Sequence, residues 1–266
     1  MPDLVSRLST LDAVEDLALT TNATRIAELA QSLKESGLGR VTISLDTLRS
    51  DRFHKLTRTG ELSRVLTGID AIRTAGFDGT KLNAVLQRGV NDDEIGALLA
   101  FAHERDLELR FIEYMDVGGA TRWSMERVVS ATEILKRIEA EGLGVPEPVG
   151  MSRSSAPADR FRLPNGQMFG VIASTTRPFC GQCDRARLTA DGRFITCLYG
   201  KDGYPITPIL RSAGGPEAAA ARMLELWSQR SDRGAEERLA EAHRDVLAQP
   251  EELRSRPHLE MHTRGG

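Results

Sequence analysis

The first 114 residues alternate between short apolar runs and amphipathic stretches of helical period. Four runs rich in aliphatic and β-branched residues predict β-strands at 16–20, 41–45, 80–86 and 108–114. Between them, apolar residues recur at helical spacing, and two of these stripes stop at Gly37 and Gly76. Strand, helix and strand in this order predict a parallel sheet with right-handed crossovers. Ligands of such sheets bind at the carboxyl ends of the strands.

Two pairs of polar residues predict helix starts within this region and just after it. Asn91 is followed three residues later by Glu94, and Ser130 by Glu133. A small polar residue that is followed three positions later by a carboxylate is typical of a helix N-cap.

The pattern changes near Leu143. Residues 144–157 are rich in Gly, Pro and Ser and predict a loop, and β-like segments follow at 160–163, 168–172, 187–189 and 193–197. Residues 216–256 are highly charged and predict a solvated helical tail. We therefore expect an α/β protein with two domains, an incomplete parallel (β/α) barrel over 1–143 and a smaller β-containing region over 144–266.

Composition excludes several classes of function. Of the 266 residues, 40% are apolar and 27% charged, as in ordinary globular proteins. The net charge of −3 gives no general attraction to nucleic acid or to anionic membranes, and no apolar run approaches the roughly 20 residues of a membrane span. We expect a cytoplasmic protein that binds neither nucleic acid nor membrane.

The three cysteines of the chain, Cys180, Cys183 and Cys197, lie within one short window. Three clustered thiols without a local fourth favour a [4Fe–4S] cluster with one open iron. Zinc held by the same thiols and His258 or His262 is the rival metal site. A redox Cys-x-x-Cys pair beside a buried third cysteine is the remaining alternative.

Arginines accompany the cysteines. Residues 151–200 contain seven arginines against three acids, and Arg185 and Arg187 alternate directly after Cys183. Paired guanidinium groups suit the bidentate recognition of phosphate, so the segment favours a small anionic ligand. Salt bridges to Asp184 or Asp191 are the alternative.

Polar side chains also occur on or after the predicted strands, where ordinary core residues are expected. They are Thr20, Ser44, Lys81, Asn83 and Arg110, and Met115 follows the fourth strand. Their shared position at one end of one sheet favours a binding site. Helix capping by the hydroxyls, ion pairing of Lys81 and core packing of Met115 are the structural alternatives.

Several motifs, in this order, resemble one family. They are Leu-Thr-Thr-Asn (19–22), Ile-Ser-Leu-Asp (43–46), Lys-Leu-Asn (81–83), Gly-Val-Asn-Asp-Asp-Glu (89–94), Arg-Phe-Ile-Glu-Tyr-Met (110–115), the block from Pro178 to Gly192, Cys-Leu (197–198) and the final Gly-Gly. This series resembles the radical S-adenosylmethionine GTP 3′,8-cyclases of molybdenum cofactor biosynthesis, over essentially the whole chain.

The resemblance implies a TIM-like radical-S-adenosylmethionine barrel and a C-terminal iron–sulfur region. Cys180, Cys183 and Cys197 match the ligands of a [4Fe–4S] cluster. Ser44 and Met115 match contacts of S-adenosylmethionine. GTP contacts are matched by Thr20, Lys81, Arg110, Arg185, Ala186 and Arg187. The tail of Gly265 and Gly266 is expected to reach into the active site.

The chain also departs from the family. It lacks the N-terminal Cys-x-x-x-Cys-x-x-Cys motif and the Gly-Gly-Glu-Pro segment. We therefore expect it to lack the first barrel strands, to use S-adenosylmethionine and a second [4Fe–4S] cluster only in a longer form, and to be inactive alone. Smaller departures are Ala23 for the usual Gly, Asp184 for Asn and Arg264 for an apolar residue.

Two functions from different classes follow. The first is a lyase that converts GTP to 3′,8-cyclo-7,8-dihydro-GTP and passes it to the next enzyme of molybdenum cofactor biosynthesis, with a homodimer as a possible assembly. The second is a non-catalytic module of the same fold that binds a purine nucleotide or zinc.

Overall fold

The computed structural model describes residues 1–58, 60–150 and 156–264. The chain forms two compact units. Unit 1 comprises residues 1–113, 129–152 and 158–172, and unit 2 comprises residues 114–128, 153–157 and 173–266. Compactness does not by itself define a functional domain, so the expected domain boundary after residue 143 stays a prediction.

Unit 1 is built on a seven-stranded sheet with the strand order β1-β2-β3-β4-β7-β6-β5. The strands are β1 (Ala18–Thr21), β2 (Arg40–Ser44), β3 (Lys81–Leu86), β4 (Glu108–Glu113), β5 (Glu147–Pro148), β6 (Asp159–Arg162) and β7 (Met168–Ile172). The pairs β1–β2, β2–β3, β3–β4 and β4–β7 are parallel, whereas the pairs β7–β6 and β6–β5 are antiparallel. The predicted α/β class with a mostly parallel sheet is confirmed, and the described strands form an open sheet.

Six α-helices accompany this sheet: α1 (Pro2–Ser9), α2 (Ala30–Glu35), α3 (Ser50–Thr57), α4 (Leu62–Thr74), α5 (Ile95–Glu104) and α6 (Ala131–Ala140). The apolar stripes of α4 and α5 pack with the central strands into one core, in which Leu82, Phe111 and Ile69 are almost fully buried. Burial along β3 and β4 alternates with period two, so each strand turns one row of side chains into this core.

One predicted helix cap is confirmed and the other is wrong. Ser130 Oγ accepts a hydrogen bond from the Glu133 amide at 3.3 Å, at the start of α6. The Asn91 side chain instead donates to the carbonyls of Asp46 and Val85. The Glu94 carboxylate accepts from the Thr47 hydroxyl at 2.6 Å. These polar groups tie the ends of two strands together, and α5 begins only at Ile95.

Unit 2 contains a three-stranded antiparallel sheet of β8 (Arg187–Leu188), β9 (Arg193–Ile195) and β10 (Tyr204–Pro205), in the order β10-β9-β8. Its helices are α7 (Thr207–Leu210), α8 (Gly215–Ser228), α9 (Gly234–Ala240) and α10 (Pro250–Ser255). Helices within 216–256 were predicted, but the expectation that this segment is solvated is wrong for several of its charges. The side chains of Arg230, Arg238 and Arg244 are only 11%, 16% and 7% exposed. Arg238 and Arg244 donate to the Asp116 carboxylate, and Arg230 donates to the Cys183 carbonyl.

Candidate functional site

A short turn and a hairpin of unit 2 bring the three cysteines together. Cys180 begins a single 3-10 turn, and the Cys183 amide closes it by donating to the Cys180 carbonyl at 3.2 Å. Strand β8 follows at Arg187 and pairs with β9, with Arg187 opposite Ile195. Cys197 therefore lies just beyond the end of β9, next to the segment that carries the other two thiols.

All three thiols line one cavity of about 80 Å³, whose lining residues all belong to unit 2. Its walls are formed by Met115, Ser174, Pro178, Phe179, Cys180, Cys183, Arg185, Arg187, Cys197, Leu198, Tyr199, Arg230, Asp232 and Ala235. A single water needs roughly 10–15 Å³ of such volume, so the cavity has room for a group of several atoms. The structure thus brings Arg185 and Arg187 to the cysteines, and it adds Met115, which the sequence grouped with the strand ends, to the same wall.

The cavity wall is positively charged. Three guanidinium groups line it, against the single carboxylate of Asp232. Burial is the main cause that lowers the pKa of Arg187, and the neighbouring charge of Arg185 lowers it further. The salt-bridge alternative is wrong for Asp191, whose carboxylate accepts from Thr189 and lies 3.4 Å from Arg193. An anion of several atoms is the ligand that this wall favours.

Arg230 is a member of the cavity wall that sequence reasoning missed. Its guanidinium donates to the Cys183 carbonyl and lies 5.0 Å from the ring centre of Trp227. Burial is the largest single influence on the Cys183 thiol and raises its pKa. Hydrogen bonds from the Arg185 amide and the Arg230 side chain together outweigh burial, so the net effect is a lowered pKa. The local environment therefore favours Cys183 as a thiolate, the form that binds metals.

Helix α9 closes the cavity on the side of Cys197. A Cβ atom added at Gly234, the first residue of α9, would lie 3.0 Å from the Cys197 sulfur and 2.6 Å from Tyr199 Cβ. Only a residue without a side chain lets the backbone approach the thiol this closely.

A buried ionic network lies beside this wall. Asp116 is 1% exposed and accepts hydrogen bonds from the Tyr199 hydroxyl at 2.9 Å, Arg238 Nε at 2.8 Å and Arg244 Nη2 at 2.7 Å. Burial, the largest influence, raises the pKa of Asp116, but the two arginines outweigh it and the pKa is lowered. Since Asp116 directly follows Met115 and binds Tyr199, the network fixes two residues of the cavity wall.

The predicted site residues that lie on strands β1 to β4 belong to unit 1 and form two adjacent rows across its sheet. Thr20, Thr42 and Lys81 are aligned in one row, and Ser44, Asn83 and Arg110 in the next row toward the carboxyl ends of the strands. The prediction that Lys81 and Asn83 share a face is confirmed by this register.

These rows combine positive charge with an unsatisfied acceptor. Burial lowers the pKa of Lys81, and the nearby charge of Arg110 lowers it further. Arg110 donates to the Glu108 carboxylate at 3.1 Å, whereas no described ion pair includes Lys81. Asn83 Oδ1 is buried and has no hydrogen-bond partner among the described residues. A ligand donor would satisfy this acceptor.

Ser44 lines a second cavity, of about 440 Å³, within unit 1. Asn22 and Asp46 share this wall, and the Asp46 carboxylate accepts from the Val85 amide at 2.8 Å. Burial raises the pKa of Asp46 to about 6. Ala23, next to Asn22, has the left-handed φ of +59°, a conformation that glycine adopts at lower cost.

Some predicted residues lie elsewhere or outside the described part. His258 contacts the Lys201 carbonyl at 2.9 Å, and neither it nor His262 is among the residues of the cysteine-lined cavity. Across residues 1–58, 60–150 and 156–264, no three His, Cys, Asp or Glu side chains are grouped closely enough to hold one metal ion. Ala186 is not part of the described wall, and Gly265 and Gly266 lie outside the described residues. No described helix has the length and apolarity needed to cross a membrane.

Comparison with known families assigns the chain in two parts. Residues 1–102 match the sequence model of the radical SAM superfamily, and residues 107–236 match that of Molybdenum Cofactor Synthesis C. The fold and the sequence thus place the chain among radical SAM proteins.

Comparison with individual proteins identifies the family within this superfamily. A GTP 3′,8-cyclase 3 of Mycobacterium bovis is 47% identical over 253 residues, which are 95% of this chain and 66% of the relative. A GTP 3′,8-cyclase 1 of Mycobacterium tuberculosis is 43% identical over 272 residues, covering 100% of this chain and 75% of the relative. A GTP 3′,8-cyclase of Acidothermus cellulolyticus is 45% identical, covering 89% and 66%. The chain belongs to the GTP 3′,8-cyclase family and spans between 66% and 75% of the length of these relatives.

Proposed function

We propose that the chain serves the GTP 3′,8-cyclase reaction of molybdenum cofactor biosynthesis, with a [4Fe–4S] cluster held by the three cysteines of unit 2 and GTP bound beside it. The observation that carries the proposal is the cavity itself. Three thiols and three guanidinium groups line one cavity that is larger than a single ion needs. The relatives are cyclases by name and do not favour the alternative of a non-catalytic zinc- or purine-binding module.

Cys180, Cys183 and Cys197 would hold the cluster. Thiolates are the preferred ligands of iron–sulfur clusters, and positive groups beside Cys183 favour its thiolate form. A cluster held by three cysteines supplies an open iron for a nitrogen or oxygen of a purine.

Arg185 and Arg187 would bind the triphosphate of GTP. Both line the cavity, and guanidinium groups bind phosphate oxygens in pairs. Arg187 is poorly solvated, because burial is the main cause that lowers its pKa. A charge in such an environment binds an anion more strongly than one at the surface.

The remaining assignments are also proposals. Thr20, Lys81, Arg110 and Ala186 would contact GTP, and Ser44 and Met115 would contact S-adenosylmethionine. Asn83, with its buried unpaired oxygen, adds an acceptor to the same face of the sheet as Ser44. Transfer of the product to the next enzyme of the pathway, a homodimer, a cytoplasmic location and a role for Gly265 and Gly266 stay predictions.

The first experiment tests the cluster. We expect wild-type protein reconstituted without oxygen to contain about four iron and four sulfide per chain. Replacement of all three cysteines by alanine should abolish this uptake. A colourless wild-type protein that retains one zinc would contradict the proposal.

The second experiment tests GTP binding by calorimetry on the cluster-loaded protein. Arg185→Ala and Arg187→Ala should each weaken binding by about tenfold or more, because each removes a charge-assisted contact. Arg222→Ala is the matched control, since Arg222 is 40% exposed on α8 and pairs with Glu225 at 2.7 Å. Equal affinity of wild type and both site variants would show that these arginines do not bind the nucleotide.

A further inference from the structure

Arg264 is one of the most deeply buried large side chains in unit 2. It is 2% exposed, although it carries a guanidinium group and lies near the end of the chain. Nε donates to the His258 carbonyl at 2.7 Å, and Nη1 donates to the Leu198 carbonyl at 2.6 Å. These two bonds hold the guanidinium directly behind the Cys197–Leu198 segment.

The third nitrogen of this group has no hydrogen-bond partner within the described part of the chain. Arg264 Nη2 is buried and makes no hydrogen bond to any described residue, and no described carboxylate forms an ion pair with Arg264. Burying a charge without a partner costs free energy of folding, so a nearby anion would stabilise Arg264 in this position.

The charged groups near Arg264 indicate which anion this is. Burial lowers the pKa of Arg264, and so does the neighbouring charge of Arg187, whereas the Cys197 thiol acts in the opposite direction. Leu198, whose carbonyl Arg264 binds at 2.6 Å, directly follows Cys197, so the guanidinium is held next to this cysteine. A cluster bound to Cys197 would bring negative charge to the same place.

We propose that Arg264 is a positioning residue for the iron–sulfur cluster: it holds the Cys197–Leu198 backbone and raises the reduction potential of the cluster by placing a buried positive charge behind Cys197. This inference rests on the proposed function, because it needs the cluster in the cavity. A positive charge stabilises the reduced cluster, which carries one more electron than the oxidised one. Net charge and hydrogen bonding near the sulfurs are known to set such potentials.

The test is a redox titration of reconstituted protein with dithionite as the electron donor, followed by the electron paramagnetic resonance signal of the reduced cluster. We expect Arg264→Met to lower the ratio of reduced to oxidised cluster about tenfold at a fixed potential, which is about 59 mV for one electron. Arg264→Lys keeps the charge and should stay near wild type. Arg222→Gln, a change on the surface of α8, should have no effect.

Arg264→Gln separates charge from packing. It keeps N–H donors but loses the charge, so it should shift the potential in the same direction as Arg264→Met. If the Met variant does not take up iron, the comparison between the Lys and Gln variants decides. Equal potentials for wild type, Lys and Gln variants would overturn the role of Arg264. A wild-type protein that takes up no iron and sulfide would instead overturn the proposed function.

Discussion

Asp116→Asn is expected to destabilise unit 2 strongly. Asp116 is the shared acceptor of Arg238 and Arg244, whose side chains are only 16% and 7% exposed. Asparagine keeps the shape of the side chain but removes the counter-charge that the two guanidinium groups share. Breaking a buried ion pair by removing one partner costs about 3–5 kcal/mol. Because Arg238 retains some access to water and also pairs with Glu241, we expect a loss of about 3 kcal/mol.

Tryptophan fluorescence measures this loss selectively. The chain has two tryptophans, Trp123 and Trp227, and both belong to unit 2. In urea, a loss of about 3 kcal/mol should lower the unfolding midpoint by about 1–3 M. Asp202→Asn is the control: Asp202 is 76% exposed and pairs with Arg256 at the surface, so its loss should cost less than about 1 kcal/mol.

The dependence on pH gives a second check. The pKa of Asp116 is lowered in the folded protein, so its contribution is fully present above the ordinary value of about 3.9. It is lost as the pH falls from there through the folded pKa. The difference between wild type and Asp116→Asn should therefore be constant near neutral pH and shrink below about pH 4. Equal urea midpoints at pH 7 would refute the reasoning.

Three further predictions concern single sites. The pKa of Asp46 is raised to about 6, so the free energy of unfolding should fall by about 2–3 kcal/mol as the pH rises from 4 through 6. Hydrogen exchange at the Val85 amide, which donates to Asp46, measures this pH dependence, and Asp46→Asn should abolish it. The hydrogen bond from Arg88 is the main cause that lowers the pKa of Glu133 to about 2, so the stability that Glu133 contributes should be lost as the pH falls from about 4.5 to 2. Glu133→Gln should lower the free energy of unfolding at pH 7, measured by circular dichroism, by about 1 kcal/mol, since the side chain is 28% exposed. Gly234→Ala should reduce iron uptake, because the new Cβ lies 3.0 Å from the Cys197 sulfur. Gly76→Ala strains the backbone of unit 1 at a φ of +77° but places its Cβ more than 4 Å from any atom, so it should leave iron uptake unchanged.

Local pattern was sufficient to predict four of the seven strands in the sheet of unit 1. The predicted strands from 16 to 114 correspond to β1–β4, and along β3 and β4 burial alternates with a period of two. The Asn91 and Glu94 pair was misinterpreted for a physical reason. Both a helix cap and a link between strand ends use short polar side chains, and the sequence alone does not show which backbone groups lie within reach.

The cysteine-lined cavity was predicted only in part. Cys180, Cys183, Arg185 and Arg187 are close in sequence, and a turn followed by a strand fixes their relative positions within a few residues. Arg230 arrives from 47 residues further along the chain, and its position depends on how α8 ends rather than on any local pattern.

The charged segment after residue 216 shows why such contributions escape sequence reasoning. Its dense charges are typical of a solvated surface helix, and most of them are indeed exposed. Yet Arg238 and Arg244 reach back 122 and 128 residues to Asp116. A long guanidinium side chain can be buried wherever carbonyls and carboxylates meet it, so its burial is decided by tertiary contacts and not by spacing. Arg238 and Arg244, which are buried next to the cysteine-lined cavity, therefore belong to a sequence segment whose composition is typical of a solvated surface helix.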